Sequence, residues 1–317
     1  MKLLVTGGAG FIGSHLIERL ISENHNVWCL DNFNTYYDPA IKWRNIETIR
    51  QHADFKLIKG DILDDSLLNQ IFTENQFDVI VHLAARAGVR PSVEQPKLYE
   101  EVNIRGTMNI LEMAKEHNIK KVVIASSSSV YGNNKKIPFS ESDAVDNPIS
   151  PYAATKKACE LLSYTYFALY DISITNLRFF TVYGPRQRPD MAIHKFTKLI
   201  DHGEPIVIYG DGTAKRDFTY ISDILDGIMK SIEKCDRYNI YNLGESNVIE
   251  LMDIVNIIEN NLNKKANIIK YPPQPGDVLI TYADISRARK DLGYKPSVNI
   301  EEGISSFTRW YKELNSN

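Results

Sequence analysis

Cysteine is nearly absent from this 317-residue chain: Cys29, Cys159 and Cys235 are odd in number and widely spaced. That excludes a disulfide scaffold and offers no thiol set at metal-ligand spacing. The helical pattern around Cys159 marks it as a small buried apolar residue. Long apolar runs are missing as well, and none approaches the roughly 20 residues that span a bilayer. Nor does charge of one sign dominate, since 37 Lys and Arg against 40 Asp and Glu leave a net charge of −3. The basic residues are scattered rather than gathered into a stripe, so neither a nucleic acid nor a membrane is expected as partner. The seven histidines form no cluster, and no metal is expected. Met1 leads straight into a strand pattern, without the apolar stretch of a secretion signal. Repeats, low-complexity tracts and long linkers are also lacking. These absences leave a globular chain, expected in the cytosol and long enough to fold without staples.

What is present is an alternation. Short, almost wholly apolar β-rich runs at 3–5, 27–30, 55–58, 79–83 and 122–125 are separated by helical patterns at 12–22, near 65–73 and over 97–116. A longer helix is expected over 152–169, then a strand over 172–178. Apolar strands divided by helices predict a parallel sheet covered on both faces, hence the α/β class. From about residue 183 the alternation breaks at Gly184, Pro185, Pro189, Gly203, Pro205, Gly210 and Gly212. Helical patterns return at 222–233, 250–262 and 300–314. The expected division is a nucleotide domain over 1–182, with some later chain crossing back, and a smaller C-terminal α/β lobe over 183–317.

Gly7, Gly10 and Gly13 stand between the first strand and the first helix, with Phe11 and Ile12 opening that helix. In a dinucleotide turn the first glycine makes the bend, the second lets a pyrophosphate approach, and the third lets helix and strand pack. The helix N–H groups then face the phosphates. Asp31 closes the second strand, where a carboxylate accepts both ribose hydroxyls and repels a 2′-phosphate, which favours NAD over NADP. Asn32 follows as a further candidate cofactor contact, and Asp31 also fits a loop aspartate that caps Asn34 or Thr35. Asp61 and Ile62 follow the third strand and are placed to edge an adenine, although Asp is common at helix starts. The prediction is a doubly wound Rossmann sheet holding NAD.

Tyr152 and Lys156 lie one turn apart on one helix face. A free tyrosine keeps its proton to about pH 10, so a base built on one needs positive charge beside it. Lys156 and a cofactor cation supply such charge. Ser126-Ser127-Ser128-Ser129 ends a strand, and strand ends on such a sheet face the ligand crevice.

Taken together, Thr6–Gly13, His82-Leu83-Ala84-Ala85, Ser127–Gly132, Tyr152-Ala153-Ala154-Thr155-Lys156 and Arg216-Asp217-Phe218-Thr219-Tyr220 resemble the extended short-chain dehydrogenases/reductases of the nucleotide-sugar epimerase and dehydratase type. The resemblance spans nearly the whole chain. It implies a tightly held NAD lined also by Leu83, Ala84 and Ala85, which takes a hydride from sugar C4 and returns it. It assigns Tyr152 as acid/base, Lys156 as its partner on the nicotinamide ribose, and Ser127 as a contact to the sugar hydroxyl. It further implies a homodimer through two helices per subunit, here those near 97–116 and 152–169.

The reaction has to be read from the site. Dehydratases of the family carry an Asp-Glu pair where this chain has Ser128-Ser129, and related decarboxylases carry Glu where Ser129 stands. Without a carboxylate there, oxidation and return of hydride to the other sugar face remain, which is epimerisation. Thr181 replaces the Asn of many epimerases for neutral sugars, leaving room and a hydroxyl for a sugar with a C5 carboxylate. Ala87–Arg90, Arg186–Met191 and Gln274–Val278 likewise resemble the branch acting on UDP-glucuronate. Arg86 departs from the Gln of that pattern, and its role is open. Arg90, Ser128, Thr181, Arg188, Arg216 and Asp277 are the implied contacts to the UDP-sugar, with Arg216 as pyrophosphate clamp and Asp277 on the uridine ribose. Solvated arginines and a plain turn aspartate also fit. The rival substrates are UDP-glucose and UDP-N-acetylglucosamine. A silent NAD-binding regulator would break the Tyr, Lys or Ser set, which is whole here.

Overall fold

The computed structural model describes residues 1–272 and 278–315. Alternation along β1 (Lys2–Thr6) shows how the sheet is covered: Leu3 and Val5 join one buried cluster and Leu4 joins another on the opposite face. Around it run α1 (Phe11–Ser22), β2 (Asn26–Asp31), α2 (Pro39–Asn45), β3 (Phe55–Lys59), α3 (Asp65–Glu74) and β4 (Val79–His82). Then come α4 (Val89–Glu94), α5 (Pro96–Tyr99), a π turn over Glu100–Arg105, α6 (Gly106–Glu116) and β5 (Lys121–Ser127). The helical pattern read over 97–116 is thus one continuous helical run from Pro96 to Glu116 with a π turn inside it. The long helix α7 (Pro151–Tyr170) and β6 (Ser173–Phe179) complete the first half.

Beyond β6 lie β7 (Thr181–Tyr183), α8 (Ala192–Asp201), β8 (Pro205–Tyr209), β9 (Lys215–Arg216), β10 (Phe218–Tyr220), α9 (Ile221–Glu233) and β11 (Asn239–Leu243). They are followed by β12 (Ile249–Glu250), α10 (Leu251–Leu262), β13 (Asn267–Tyr271), α11 (Ser286–Leu292) and α12 (Ile300–Asn315). The main sheet has seven strands in the order β11-β6-β5-β4-β1-β2-β3, all parallel. Its seventh strand comes from late in the chain. α1, α9 and α11 bury their apolar sides on one face, and α3, α6 and α7 on the other. A third cluster joins α8, α10 and α12 over the pairs β7-β10 and β8-β13.

Strand order reverses between β1 and β4, so the crevice for a ligand opens at their C-terminal ends. Among the described residues no helix is long and apolar enough to cross a membrane, and no group of His, Cys, Asp and Glu is placed to hold a metal. Cys29, Cys159 and Cys235 are buried thiols.

Candidate active site

At the reversal point the chain leaves β1 through Gly7, whose φ of +68° suits glycine. A Cβ there would come 2.8 Å from the Ala84 backbone. A Cβ on Gly13 would strike the Gly7 carbonyl oxygen, so α1 could not pack this close to the turn. Gly10 caps α1 without a side chain, which leaves the first-turn N–H groups to a ligand. The shape is a cradle for a pyrophosphate, and the residues around it fit a dinucleotide.

A cavity of about 390 Å³ opens from this turn. Gly7, Gly10, Phe11, Ile12 and Gly13 form its floor, and Asp31, Asn32, Asp61 and Ile62 stand behind β2 and β3. Leu83, Ala84 and Ala85 follow β4, Ser127 ends β5 and Ser128 follows it, and Tyr152 and Lys156 enter from α7. Thr181 and Arg188 complete the lining.

Asp31 is only 5% exposed. Its Oδ1 accepts from the Phe33 N–H at 2.9 Å and from Lys42 Nζ at 3.1 Å, and its Oδ2 accepts from the Ala9 N–H at 3.2 Å. The carboxylate thus ties the glycine turn to the loop after β2. Lys42, buried on α2, was not singled out in the sequence, because one lysine in a polar stretch carries no spacing signal. Asn32 Nδ2 donates to Asp61 Oδ2 at 2.7 Å, joining the loops after β2 and β3.

On α7, Pro151 occupies the first turn and Ser150 caps the helix, its Oγ accepting from the Ala153 N–H at 3.1 Å. Tyr152 therefore leaves a fixed helix start. Lys156, one turn on, is buried and donates from Nζ to the Ala125 carbonyl at 2.7 Å. The ring of Tyr99 meets that of Tyr152 edge-on, with centroids 6.2 Å apart at 85°. Tyr99 is itself held by its hydroxyl, which donates to the Ala87 carbonyl at 2.6 Å. Ser127 caps the short turn that follows β5, its Oγ accepting from the Ser129 N–H at 3.1 Å.

Below this level, Thr6 Oγ1 and Thr107 Oγ1 bracket the ring of His82 at 2.7 and 3.1 Å. Burial, and then the nearby charge of Lys156, push His82 down to about 3, so the ring is neutral and structural.

A second cavity of about 210 Å³ shares Val89, Ser128, Ser129 and Thr181 with the first and is lined by Arg216. Arg216 donates to the Lys215 carbonyl at 2.9 Å. Arg188 grips Asp190 through Nε and Nη2 at 2.9 and 2.8 Å. Although burial opposes it, that guanidinium holds the Asp190 carboxyl below its ordinary value. Arg90 stands apart from both linings, with its guanidinium 4.4 Å from the centre of the Tyr209 ring. Asp277 lies outside the described residues. Tyr36, Tyr99 and Asp190 were missed by sequence reasoning, since only the folded chain brings them beside Tyr152 and Arg188.

The family described as GDP-mannose 4,6 dehydratase matches residues 4–307. A UDP-glucuronate 4-epimerase of Thermodesulfobacterium geofontis is 46% identical over 311 residues, which cover 98% of this chain and 96% of that relative. The crystal structure of UDP-glucuronic acid 4-epimerase from Bacillus cereus, in complex with UDP-glucuronic acid and NAD, superposes with a TM-score of 0.94 at 38% identity, covering 99% of this chain and 100% of that one. A UDP-glucose 4-epimerase from Thermotoga maritima, solved with UDP-glucose, gives 0.92 at 30% identity with the same coverage. A glycine cradle, an acidic residue behind β2 and a Tyr-Lys pair on α7 thus accompany a match over almost the full length, and the chain belongs to the GDP-mannose 4,6-dehydratase family of short-chain dehydrogenases/reductases.

Proposed function

We propose that this protein epimerises UDP-glucuronate to UDP-galacturonate at C4, with NAD resident on the glycine turn. The observation that carries the reading is the sharing of Ser128, Ser129 and Thr181 between the cofactor cavity and the cavity of Arg216. A sugar at that junction is bounded by hydroxyls where a dehydratase needs carboxylates. NAD bound there supplies the hydride acceptor that oxidation of C4 requires and the donor that restores it.

Tyr152 takes the proton of the 4-OH through its Oη and returns it to the 4-keto oxygen once the sugar has turned about its pyrophosphate tether. Lys156, anchored to Ala125, places a positive charge beside that tyrosine, and Ser127 positions the same sugar oxygen. The 4-keto uronate is a β-keto acid and loses CO2 when its carboxylate turns perpendicular to the carbonyl. Hydroxyls of Ser127, Ser128 and Thr181 hold the carboxylate by hydrogen bonds and limit that rotation. Arg188 serves the sugar or phosphate region, Arg216 the UDP pyrophosphate, Asp277 the uridine ribose, and Arg90 the UDP-sugar.

We place the protein in the cytosol, where three unpaired buried thiols suit a reducing medium. Leu161, Tyr164 and Leu169 are exposed on α7 and Met108 on the adjacent α6, which supports a homodimer through those helices.

Incubating the purified protein with UDP-glucuronate and resolving products by NMR tests the reading. UDP-galacturonate is the expected product. Turnover of UDP-glucose or UDP-galactose with none of UDP-glucuronate would overturn the substrate assignment in favour of a neutral-sugar epimerase.

A further inference from the structure

Strands β2 and β4 flank β1, so the loops that follow them stand roughly 10 Å apart with the glycine turn between. Side chains from those two loops nevertheless meet. The guanidinium carbon of Arg86 lies 5.7 Å from the centre of the Tyr36 ring. Gly88, at a φ of +102°, brings the loops closer still, and a Cβ there would come 2.8 Å from the Tyr36 hydroxyl oxygen. Tyr36 and Arg86 line the same cavity as Gly7 and Gly10.

Both partners leave fixed points. The Arg86 N–H donates to Asn103 Oδ1 at 2.7 Å, and Asn103 Nδ2 donates back to the Arg86 carbonyl at 3.0 Å. Asn103 is 1% exposed. Two residues before Arg86, the Ala84 backbone presses on Gly7. Tyr36 is held from its far end, its hydroxyl donating to Asp190 Oδ2 at 3.3 Å.

The cations lining the cavity differ in what they already hold. Lys42 pairs with Asp31, Arg188 grips Asp190 with two bonds, and Lys156 donates to Ala125. The Arg86 guanidinium makes no hydrogen bond or ion pair with a described residue, and it faces the ring of Tyr36. Five N–H donors and a full charge thus line the cavity that opens from the turn, without an acceptor among the described residues. The start of α1 supplies roughly half a charge, whereas a dinucleotide pyrophosphate carries two negative charges.

We propose that Arg86 is a cofactor-retaining residue: its guanidinium forks onto the pyrophosphate of bound NAD, and Tyr36 is the surface that orients it. The inference rests on the reading of this cavity as an NAD site. A planar fork matches phosphate oxygens, and stacking on a ring leaves less side-chain freedom to lose on binding. It gives a physical role to the residue at which this chain departs from the glutamine of the pattern it resembles.

The test is the release of bound NAD from the purified protein, followed by chase with excess labelled NAD and rapid gel filtration. Arg86→Gln should release NAD roughly tenfold to a hundredfold faster, the scale of a lost hydrogen bond to a charged group. Arg86→Lys, which keeps the charge and loses the fork, should fall between. Raising the salt should speed release from the wild type more than from Arg86→Gln. The KM for UDP-glucuronate at saturating NAD should stay within about twofold if the guanidinium serves the cofactor alone. Unchanged release with a raised KM would assign Arg86 to the sugar and overturn the proposal. If Arg86→Gln does not fold, wild-type release from Arg86→Lys overturns it equally. A wild-type protein that binds no NAD would instead remove the reading of the cavity itself.

Discussion

Glu160 and Arg178 form a doubly hydrogen-bonded ion pair beneath the cavity, Nε to Oε1 and Nη2 to Oε2, both at 2.8 Å. Each side chain is 1% exposed. Glu160 stands one turn beyond Lys156 on α7, and Arg178 lies near the end of β6. Ser126 Oγ adds a bond to Glu160 Oε1 at 2.6 Å, and Arg178 Nη1 donates to the Tyr131 hydroxyl at 3.0 Å. The helix of Tyr152 and the strand end of Ser127 are thereby bolted to one buried network. Removing Arg178 leaves the buried Glu160 carboxylate with Ser126 and the more distant Lys157 Nζ at 3.6 Å, so Arg178→Met should lose about 3 kcal/mol of unfolding free energy in denaturant titration. The double variant Arg178→Met with Glu160→Leu should recover much of that loss. Equal losses in single and double variants would contradict the network.

Asp31 makes a different pair, with Lys42 inside the cavity that opens from the glycine turn. Its carboxylate repels a 2′-phosphate, while Lys42 would attract one. Asp31→Ser should therefore weaken NAD retention and raise the affinity for NADP, shifting the NAD-to-NADP affinity ratio by roughly tenfold or more. Titration of both cofactors into the variant decides it. A ratio equal to that of the wild type would mean that Asp31 does not read the ribose.

His82 predicts an acid-sensitive fold. Its folded pKa of about 3 is far below the value near 6.5 of an unfolded histidine. Stability from the neutral ring is fully present above 6.5 and is lost as pH falls from there towards 3. The wild type should lose up to about 1.4 kcal/mol per pH unit across that window. His82→Gln should show a flatter dependence, whatever its stability at neutral pH. Urea unfolding at several pH values compares the slopes, and parallel slopes would exclude His82 as the source.

Thr181 tests the grip on the sugar carboxylate. Thr181→Val keeps the β-branched shape on β7 and removes the hydroxyl. The expected result is a raised KM for UDP-glucuronate, about tenfold for one hydrogen bond to a charged group, together with UDP-4-keto-pentose as a by-product. Neither change appearing would remove Thr181 from substrate recognition.

Much of the site is legible before folding because the cofactor turn is a local object. Gly7, Gly10 and Gly13 are needed within one strand-turn-helix unit, and Tyr152 and Lys156 within one helical turn. The apolar runs likewise announced a parallel sheet, since strands buried on both faces carry no polar alternation. Strand β11 was not announced. It contains Asn239 and Asn242, both buried, and Asn242 Nδ2 donates to the distant Phe139 and Asp284 carbonyls at 2.8 and 3.0 Å. Helix α8 lay in a stretch where prolines and glycines signalled interruption.

By itself, then, the sequence determined the nucleotide turn, the acidic residue behind β2, the Tyr-Lys pair and the covered parallel sheet, because each depends on neighbours a few residues apart. Tertiary structure alone decided that Lys42 pairs with Asp31, that Glu160 finds Arg178, and that Arg86, after β4, reaches Tyr36, after β2. Those pairings are set by strand order, and strand order is chosen by burial of the whole core rather than by any local pattern.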